Sequence, residues 1–360
     1  MFSNTDIAEL LAQHAERETG ILVRAFRRAA RSAFLWPEEV SDLVAQNRSL
    51  TELRSIGPFI EKQIRQWIEK PHQANTVPSI RRDFLSLADA RRVLAARPDW
   101  TKKLRGDLQM HTRWSDGSAT VAEMADAAAN RSCEYIAITD HSKGLKIARG
   151  IDERALKRQG AEIAKVNVAL SKSHPRLTVL RSIEMNLNPR GEGDMSPDSL
   201  RSLDLVLGSF HSALRKTEDQ TERYLAALRN PHVHILGHPR GRVYNFPIGL
   251  KADWPRVFAE ATRLDKALEI DCYPDRQDLN VELLKIARDH GTRISLGTDA
   301  HHPWQLEFIE LGLAAVLRAK IPPQQIVNFM SLPDLKSWAA SVRDASAPPT
   351  KSKPQELKQL

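Results

Sequence analysis

The sequence predicts a parallel α/β barrel preceded by a small all-helical domain. Three observations predict it. From residue 104 onward, seven short apolar runs alternate with helical segments, and strand–helix alternation implies a mainly parallel sheet covered by helices. Nearly every run ends in a histidine or a carboxylate, and the C-terminal strand ends are where an α/β barrel gathers its functional groups. The first seventy residues show helical apolar spacing instead.

Residues 1–69 read as the helical domain. DIAELLAQHAERE and ILVRAFRRAARSAFL repeat apolar residues at helical spacing. In the second, Arg24, Arg27, Arg28 and Arg31 recur every three or four residues, along one side of a helix. WPEEVSDLV follows, with Pro37 placed to start a helix. LTELRSIGPFIEKQIRQWIEK then holds a short helix, a Ser55-Ile56-Gly57 turn and a second helix from about Pro58. Residues 70–103 read as a linker carrying one helix, FLSLADARRVLAARP.

The barrel is expected over residues 104–342. Its runs are LRGDLQMH (104–111), YIAITDH (135–141), LTVLRSIEM (177–185), LDLVLGSFH (203–211), VHILGHP (233–239), KALEIDC (266–272) and TRISLGTDAH (292–301). Thr120-Val-Ala-Glu123 is a capping box that opens a helix after the first run. DERALKRQGAEIAKVNVALSK, DQTERYLAALRN, DWPRVFAEATRL and LNVELLKIARDH fill later gaps, the last ending at Gly291. Seven units of similar length favour a barrel over an open sheet. Residues 343–360, ending ASAPPTKSKPQELKQL, read as a disordered tail.

Composition narrows the class. The net charge is +8, which fits a polyanionic partner. No run reaches the roughly 18 apolar residues of a membrane span. MFSNTDIAELL lacks the basic and apolar regions of a signal peptide. A cytoplasmic protein without membrane association is expected. The two cysteines, Cys133 and Cys272, sit singly in apolar surroundings and read as buried free thiols in a reducing compartment.

The run ends carry the chemistry. They deliver His111, Asp140-His141, Glu184, His211, His238, Asp271, and Asp299 with His301. A single histidine at a strand end is usually structural, but so many independent ends of ligand type point to a metal cluster. Six of the twelve histidines, His14, His72, His174, His232, His234 and His290, fit no such pattern and read as ordinary. Imidazole and carboxylate without thiolate suit Zn, Mn or Fe. Eight or nine ligands exceed one ion, so two or three ions sharing bridging carboxylates are expected. Ions about 3.5–4 Å apart suit hydrolysis of phosphate esters. Arg149, Arg242 and Arg276, near the run ends, are candidates for a substrate phosphate, which guanidinium forks match.

QMHTRWSDG, ITDHS, LGHPRGR and GTDAHHP, with RSIEMN and GSFHS, resemble the motifs of the PHP (polymerase and histidinol phosphatase) family. The resemblance covers about residues 104–342. It implies a distorted seven-stranded (β/α) barrel of TIM-like type. It also implies one ion on Gln109, His111, Glu184 and Asp299, a second on Glu184, His211 and His238, and a third on Asp116, His141 and His301. Zn and/or Mn would fill these sites, with a metal-bound hydroxide attacking phosphorus. Gln109 departs from the pattern, since the family most often has histidine there; a neutral amide implies weaker Zn binding and more dependence on added Mn.

SIGPFIEKQI resembles a helix-hairpin-helix, with Ser55 in place of the usual first glycine. That motif brings backbone N–H groups to a DNA phosphate. Residues 5–69 resemble the N-terminal domain of family X DNA polymerases, whose bacterial members also end in a PHP domain. The resemblance implies DNA contacts through Arg24, Arg27, Arg28, Gly57 and Lys62. Only residues 70–105 separate the two parts, and Asp83, Asp89 and Asp99 form no Asp-x-Asp pair, so no polymerase activity is expected. Gln63 stands where lyase relatives place their lysine, with Lys62 beside it, which argues against lyase activity. The expected function is a DNA phosphoesterase of 3′–5′ exonuclease or 3′-phosphatase type, acting on damaged or 3′ ends. The alternatives are a small-molecule phosphatase of histidinol-phosphatase type and a DNA-binding protein with an inactive barrel.

Overall fold

The computed structural model describes residues 2–70, 77–246 and 249–345. Helix α1 (Asn4–Ala15) starts at a capping box in which Ser3 and Asp6 serve each other's backbone N–H. It packs on α2 (Gly20–Ala33). Ile7, Ala8 and Leu11 meet Phe26, Ala29, Ala30 and Ala33 in one fully buried cluster, and the alanines let the two backbones approach closely. Helix α3 (Val40–Ala45) begins later than Pro37 suggests, because the Asn4 amide oxygen accepts the Val40 N–H at 2.8 Å. The short helix expected at LTELR is a single 3-10 turn, Leu50–Glu52. Glu61 reaches back to accept the Leu50 N–H at 3.0 Å and holds that turn against α4 (Pro58–Glu69). Ser55 sits at φ +69°, the left-handed region that favours glycine.

In the linker, α5 (Leu87–Ala95) forms as expected and α6 (Pro98–Lys103) is an additional helix that opens on proline. The helical part shares a core with the rest of the chain. Phe34, Phe84 and Tyr244 make mutual ring contacts at 4.8–5.3 Å. Buried Arg81 bridges Glu9 at 2.9 Å and Glu16 at 2.8 Å, and the Tyr244 hydroxyl donates to Glu9 at 2.9 Å.

The strands are β1 (Gly106–Asp107), β2 (Tyr135–Ile138), β3 (Thr178–Arg181), β4 (Glu184–Asn186), β5 (Leu207–Ser209), β6 (Ile235–Leu236), β7 (Ala267–Asp271) and β8 (Arg293–Gly297). All pairings between them are parallel, in orders β1-β2-β3 and β4-β5-β6-β7-β8. The expected third run is therefore two segments. It breaks at Ser182-Ile183, pairing with β2 before the break and with β5 after it. Two parallel bridges join the sheets, His141 with Glu184 and Met110 with Ala300. The Leu108 N–H also donates to the Leu296 carbonyl at 3.3 Å, so the strands form a ring.

Around the ring lie α7 (Val121–Ala129), α8 (Glu153–Ser173), α9 (Pro197–Arg201), α10 (Thr221–Arg229), α11 (Trp254–Arg263), α12 (Val281–Asp289), α13 (Ile309–Arg318) and α14 (Leu332–Ala345). Thr120 and Glu123 form the capping box of α7, and Gly291 follows α12 at φ +73°. Helix α14 extends three residues into the expected tail; 346–360 lie outside the described residues, as do linker residues 71–76. Among the described residues no helix is long and apolar enough to cross a membrane. Cys133 and Cys272 are free; Cys272 is buried, but Cys133 is only partly so.

Candidate metal centre

Parallel strands in a ring all point their C-terminal ends the same way. His111 follows β1, His141 follows β2, Glu184 opens β4, His211 follows β5, His238 follows β6, and Asp299 and His301 follow β8. Asp116 comes from the Ser-Asp-Gly turn. Gly117 lets that turn double back on the strand, since a Cβ there would lie 2.5 Å from the His111 carbonyl.

Glu184 is the hub and is fully buried. One carboxylate oxygen lies 2.7 Å from His238 Nε2 and 3.1 Å from His211 Nε2. The other lies 3.0 Å from His141 Nδ1 and 3.5 Å from His111 Nε2. His111 Nε2 is also 2.9 Å from Asp299 Oδ1. At the rim, Asp116 Oδ1 lies 3.4 Å from His301 Nε2 and 3.7 Å from His141 Nε2. Three groups could each hold an ion: His111, Asp116, His141 and His301; His141, Glu184 and His211; His111, Glu184 and Asp299. The second differs from the expected set, with His141 in place of His238, whose ring instead hydrogen-bonds Glu184.

The close approaches are mostly not hydrogen bonds. His111 Nε2, His141 Nδ1, His211 Nε2 and Glu184 Oε2 are buried with no hydrogen-bond partner. They lie near one another without aiming at one another, as atoms do when they converge on a shared ion. Two imidazoles of the cluster are oriented through their far nitrogens: His211 Nδ1 meets the Asn186 amide oxygen at 3.1 Å, and His301 Nδ1 the Asp299 carbonyl at 2.7 Å. Such outer contacts fix ring tautomer and direction. His238 and Asp299 also sit at φ +23° and +51°, conformations that cluster at functional sites.

Charge follows the same pattern. Burial pushes the Glu184 carboxyl up, but His141, His211 and His238 outweigh it and hold it well below the usual range. Burial opposes protonation of His238, yet Glu184 raises it to about 10. His301 is likewise raised, to about 9, against burial by Asp116 and Asp299.

The chain is 34% identical over 237 residues to the DNA polymerase/3′-5′ exonuclease PolX of Bacillus subtilis, covering 66% of this chain and 41% of PolX. It is 26% identical over 231 residues to the probable phosphatase YcdX of Escherichia coli, covering 62% of this chain and 89% of YcdX. The chain is thus similar both to a DNA polymerase/3′-5′ exonuclease and to a probable phosphatase. It spans about two fifths of PolX. No protein-family model matches it. A zinc-bound histidinol phosphate phosphatase from Lactococcus lactis superposes at a TM-score of 0.43 and 16% identity, over 59% of this chain and 93% of that one.

Within the barrel, the carboxylates not taken as ligands have structural work. Asp107 accepts the Thr298 hydroxyl at 2.5 Å and ties β1 to β8. Asp140 accepts from Thr112, Ser115 and Gln159 and shapes the loop behind His111. Gln109 is buried with its amide against Glu269; oriented nitrogen-first, it donates at 2.6 and 3.0 Å. The strand-end pattern missed Glu269, since it lies below the mouth at mid-strand. Its glutamine partner and Gly297, whose Cβ would strike it, were the available signals.

The arginines divide. Arg242 is not a phosphate ligand. It is fully buried, and its guanidinium donates to the carbonyls of Arg276 and Gln277 at 2.7 Å, Arg82 at 3.1 Å and Ile80 at 3.4 Å. It also covers the Phe84 ring at 3.9 Å. Four carbonyls take four of its five N–H groups, so it clamps the linker to the barrel. Arg276 Nε lies 3.9 Å from Asp271 at the mouth, with a side chain 40% exposed. Arg149 is exposed on a loop that returns to His141, whose carbonyl accepts the Ile151 N–H at 2.7 Å. Of the expected DNA contacts, Arg24, Arg28 and Lys62 are exposed. Arg28 and Gly57 line one groove. Arg27 lies over the Phe246 ring at 5.2 Å, partly committed to the barrel.

Proposed function

We propose that the chain is a multinuclear metal-dependent phosphoesterase that acts on DNA, as a 3′–5′ exonuclease or 3′-phosphatase. One observation carries the phosphoesterase part: imidazoles and carboxylates converge on Glu184 with four buried nitrogen and oxygen atoms left without hydrogen bonds. The donor set fits Zn or Mn. Gln109, His111, Glu184 and Asp299 would hold one ion, Glu184 and His211 a second together with His238 or, as the rings stand here, His141, and Asp116, His141 and His301 a third. When bound, such ions supply an activated water and positive charge on the phosphoryl oxygens.

The chain's own residues do the rest. Glu184 and Asp299 gather and orient the imidazoles. Arg276, beside Asp271, would take a non-bridging phosphate oxygen, a match its planar fork suits. Arg149 can reach the mouth from its loop. Among the described residues no Ser, Thr or Cys hydrogen-bonds a ring nitrogen of the five clustered histidines, so no protein nucleophile is primed by them. Two things support DNA as substrate: the arginine-bearing helical part docked beside the mouth, and the likeness to PolX, which is named as a 3′-5′ exonuclease.

The test is direct. Purified protein with Mn is given labelled 3′-recessed DNA and, in parallel, histidinol phosphate and other monoesters. Shortening of DNA, abolished by His141→Ala, is expected. Turnover of the metabolite alone would sink the DNA reading, and binding without turnover would sink the enzymatic one.

A further inference from the structure

We propose that the cleft between the helical part and the barrel mouth is a track for single-stranded DNA, in which the Trp304 indole stacks on a base and Arg28 and Arg54 hold phosphates. The proposal rests on the DNA-phosphoesterase reading and extends it to the strand leading into the site.

The cleft has a volume of about 530 Å³, within the roughly 300–1,000 Å³ common for ligand sites. The helical part contributes Arg28, Arg31 and Arg54; the barrel contributes Tyr273, Trp304 and Gln305. Trp304 is 41% exposed, although an indole gains much from burial. It stands edge-on to Phe308 at 5.3 Å, and the Arg54 guanidinium lies over its ring at 5.5 Å. The ring is therefore held upright with a cation over one face. Exposed Arg28 makes no hydrogen bond or ion pair among the described residues, and Arg31 meets only Asp275, at 3.7 Å. Three guanidiniums thus share one carboxylate in an open cleft.

Both ends of the cleft lead somewhere. At one end, Gln305 accepts the His301 N–H at 2.7 Å and reaches the Tyr273 hydroxyl at 3.4 Å. Tyr273 in turn lies under Arg276, at 5.9 Å. The cleft floor is thus one hydrogen bond from the candidate ligand His301. At the other end, Arg28 and Ser55 also line a groove with Gly57, Pro58 and Phe59, and Phe59 is 57% exposed. Cations interleaved with exposed aromatic faces are what sequence-tolerant single-strand binding uses. A compact metabolite needs no such length of path.

The proposal is tested by fluorescence anisotropy with a labelled oligo-dT strand carrying slowly cleaved phosphorothioate linkages, on the full chain in Mn. Trp304→Ala is expected to weaken binding roughly tenfold, while Trp304→Phe, which can still stack, retains most of the affinity. Arg28→Ala and Arg54→Ala should each lower the slope of log K against log salt by about 0.7. Lys165→Ala, exposed on α8, should change nothing. Unchanged binding by Trp304→Ala overturns the proposal, as does equal loss in the Ala and Phe variants. Cleavage of an ordinary phosphodiester strand is read separately. Trp304-dependent binding without cleavage would sink the phosphoesterase reading and keep the track; cleavage and binding indifferent to Trp304 would do the reverse.

Discussion

His234 should make this fold sensitive to mild acid. It precedes β6, is 1% exposed, and uses both ring nitrogens. Nδ1 accepts the Val206 N–H at 3.1 Å, and Nε2 faces the Ala339 carbonyl on α14 at 3.2 Å. Only the neutral ring with its proton on Nε2 serves both. Protonating Nδ1 would set two N–H groups against each other. Burial, aided by Arg343 and Lys266, accordingly lowers the pKa from 6.5 to about 3. Between those values the unfolded chain binds a proton that the folded chain refuses, so stability falls as pH drops below 6.5. The loss is at most about 1.4 kcal/mol per pH unit, which makes about 2 kcal/mol between pH 6.5 and 4.5. Replacing the ring by His234→Gln removes the titration. It costs about 1–2 kcal/mol at pH 7, because a flexible amide replaces the rigid ring that holds the Val206 N–H and the Ala339 carbonyl. Urea midpoints of both proteins, in one buffer series, should therefore converge by pH 4.5. Parallel curves across that range would refute the reasoning.

Four further outcomes are expected. Gln109→His should raise the zinc retained after dialysis and reduce dependence on added Mn; unchanged metal content and activity would remove Gln109 from the site. Glu184→Gln should lose at least one ion per chain by elemental analysis, because it takes the negative charge from between four imidazoles. Arg242→Met should lower stability by about 3 kcal/mol or more in urea, as buried carbonyls lose charged donors, while KM of the folded protein holds. Arg276→Ala should do the opposite, raising KM roughly tenfold for a single lost charge-assisted phosphate contact with little change in the urea midpoint.

Much of the candidate site was legible because strand ends are local features. A run such as YIAITDH announces both its strand and the side chain at its end, and the ring then brings such ends together. The helices showed themselves through capping boxes and terminal glycines. Other features depended on partners far away in the chain. Arg242 stands four residues after His238 and reads as a phosphate ligand, yet its carbonyl partners come from residues 80–82 and 276–277. LTELR has helical composition, but Glu61 holds it to one turn.

By itself the sequence determined the parallel α/β alternation, the helical first part and the identity of nearly all the clustered histidines and carboxylates, because period and position within an element encode them. The tertiary structure alone decided which of these groups share Glu184, that Gln109 faces Glu269, that the third run is broken, and that Arg28, Arg54 and Trp304 meet in one cleft. Each of those depends on distance between segments remote in the chain, and hydrogen-bond reach and burial act through space rather than along the sequence.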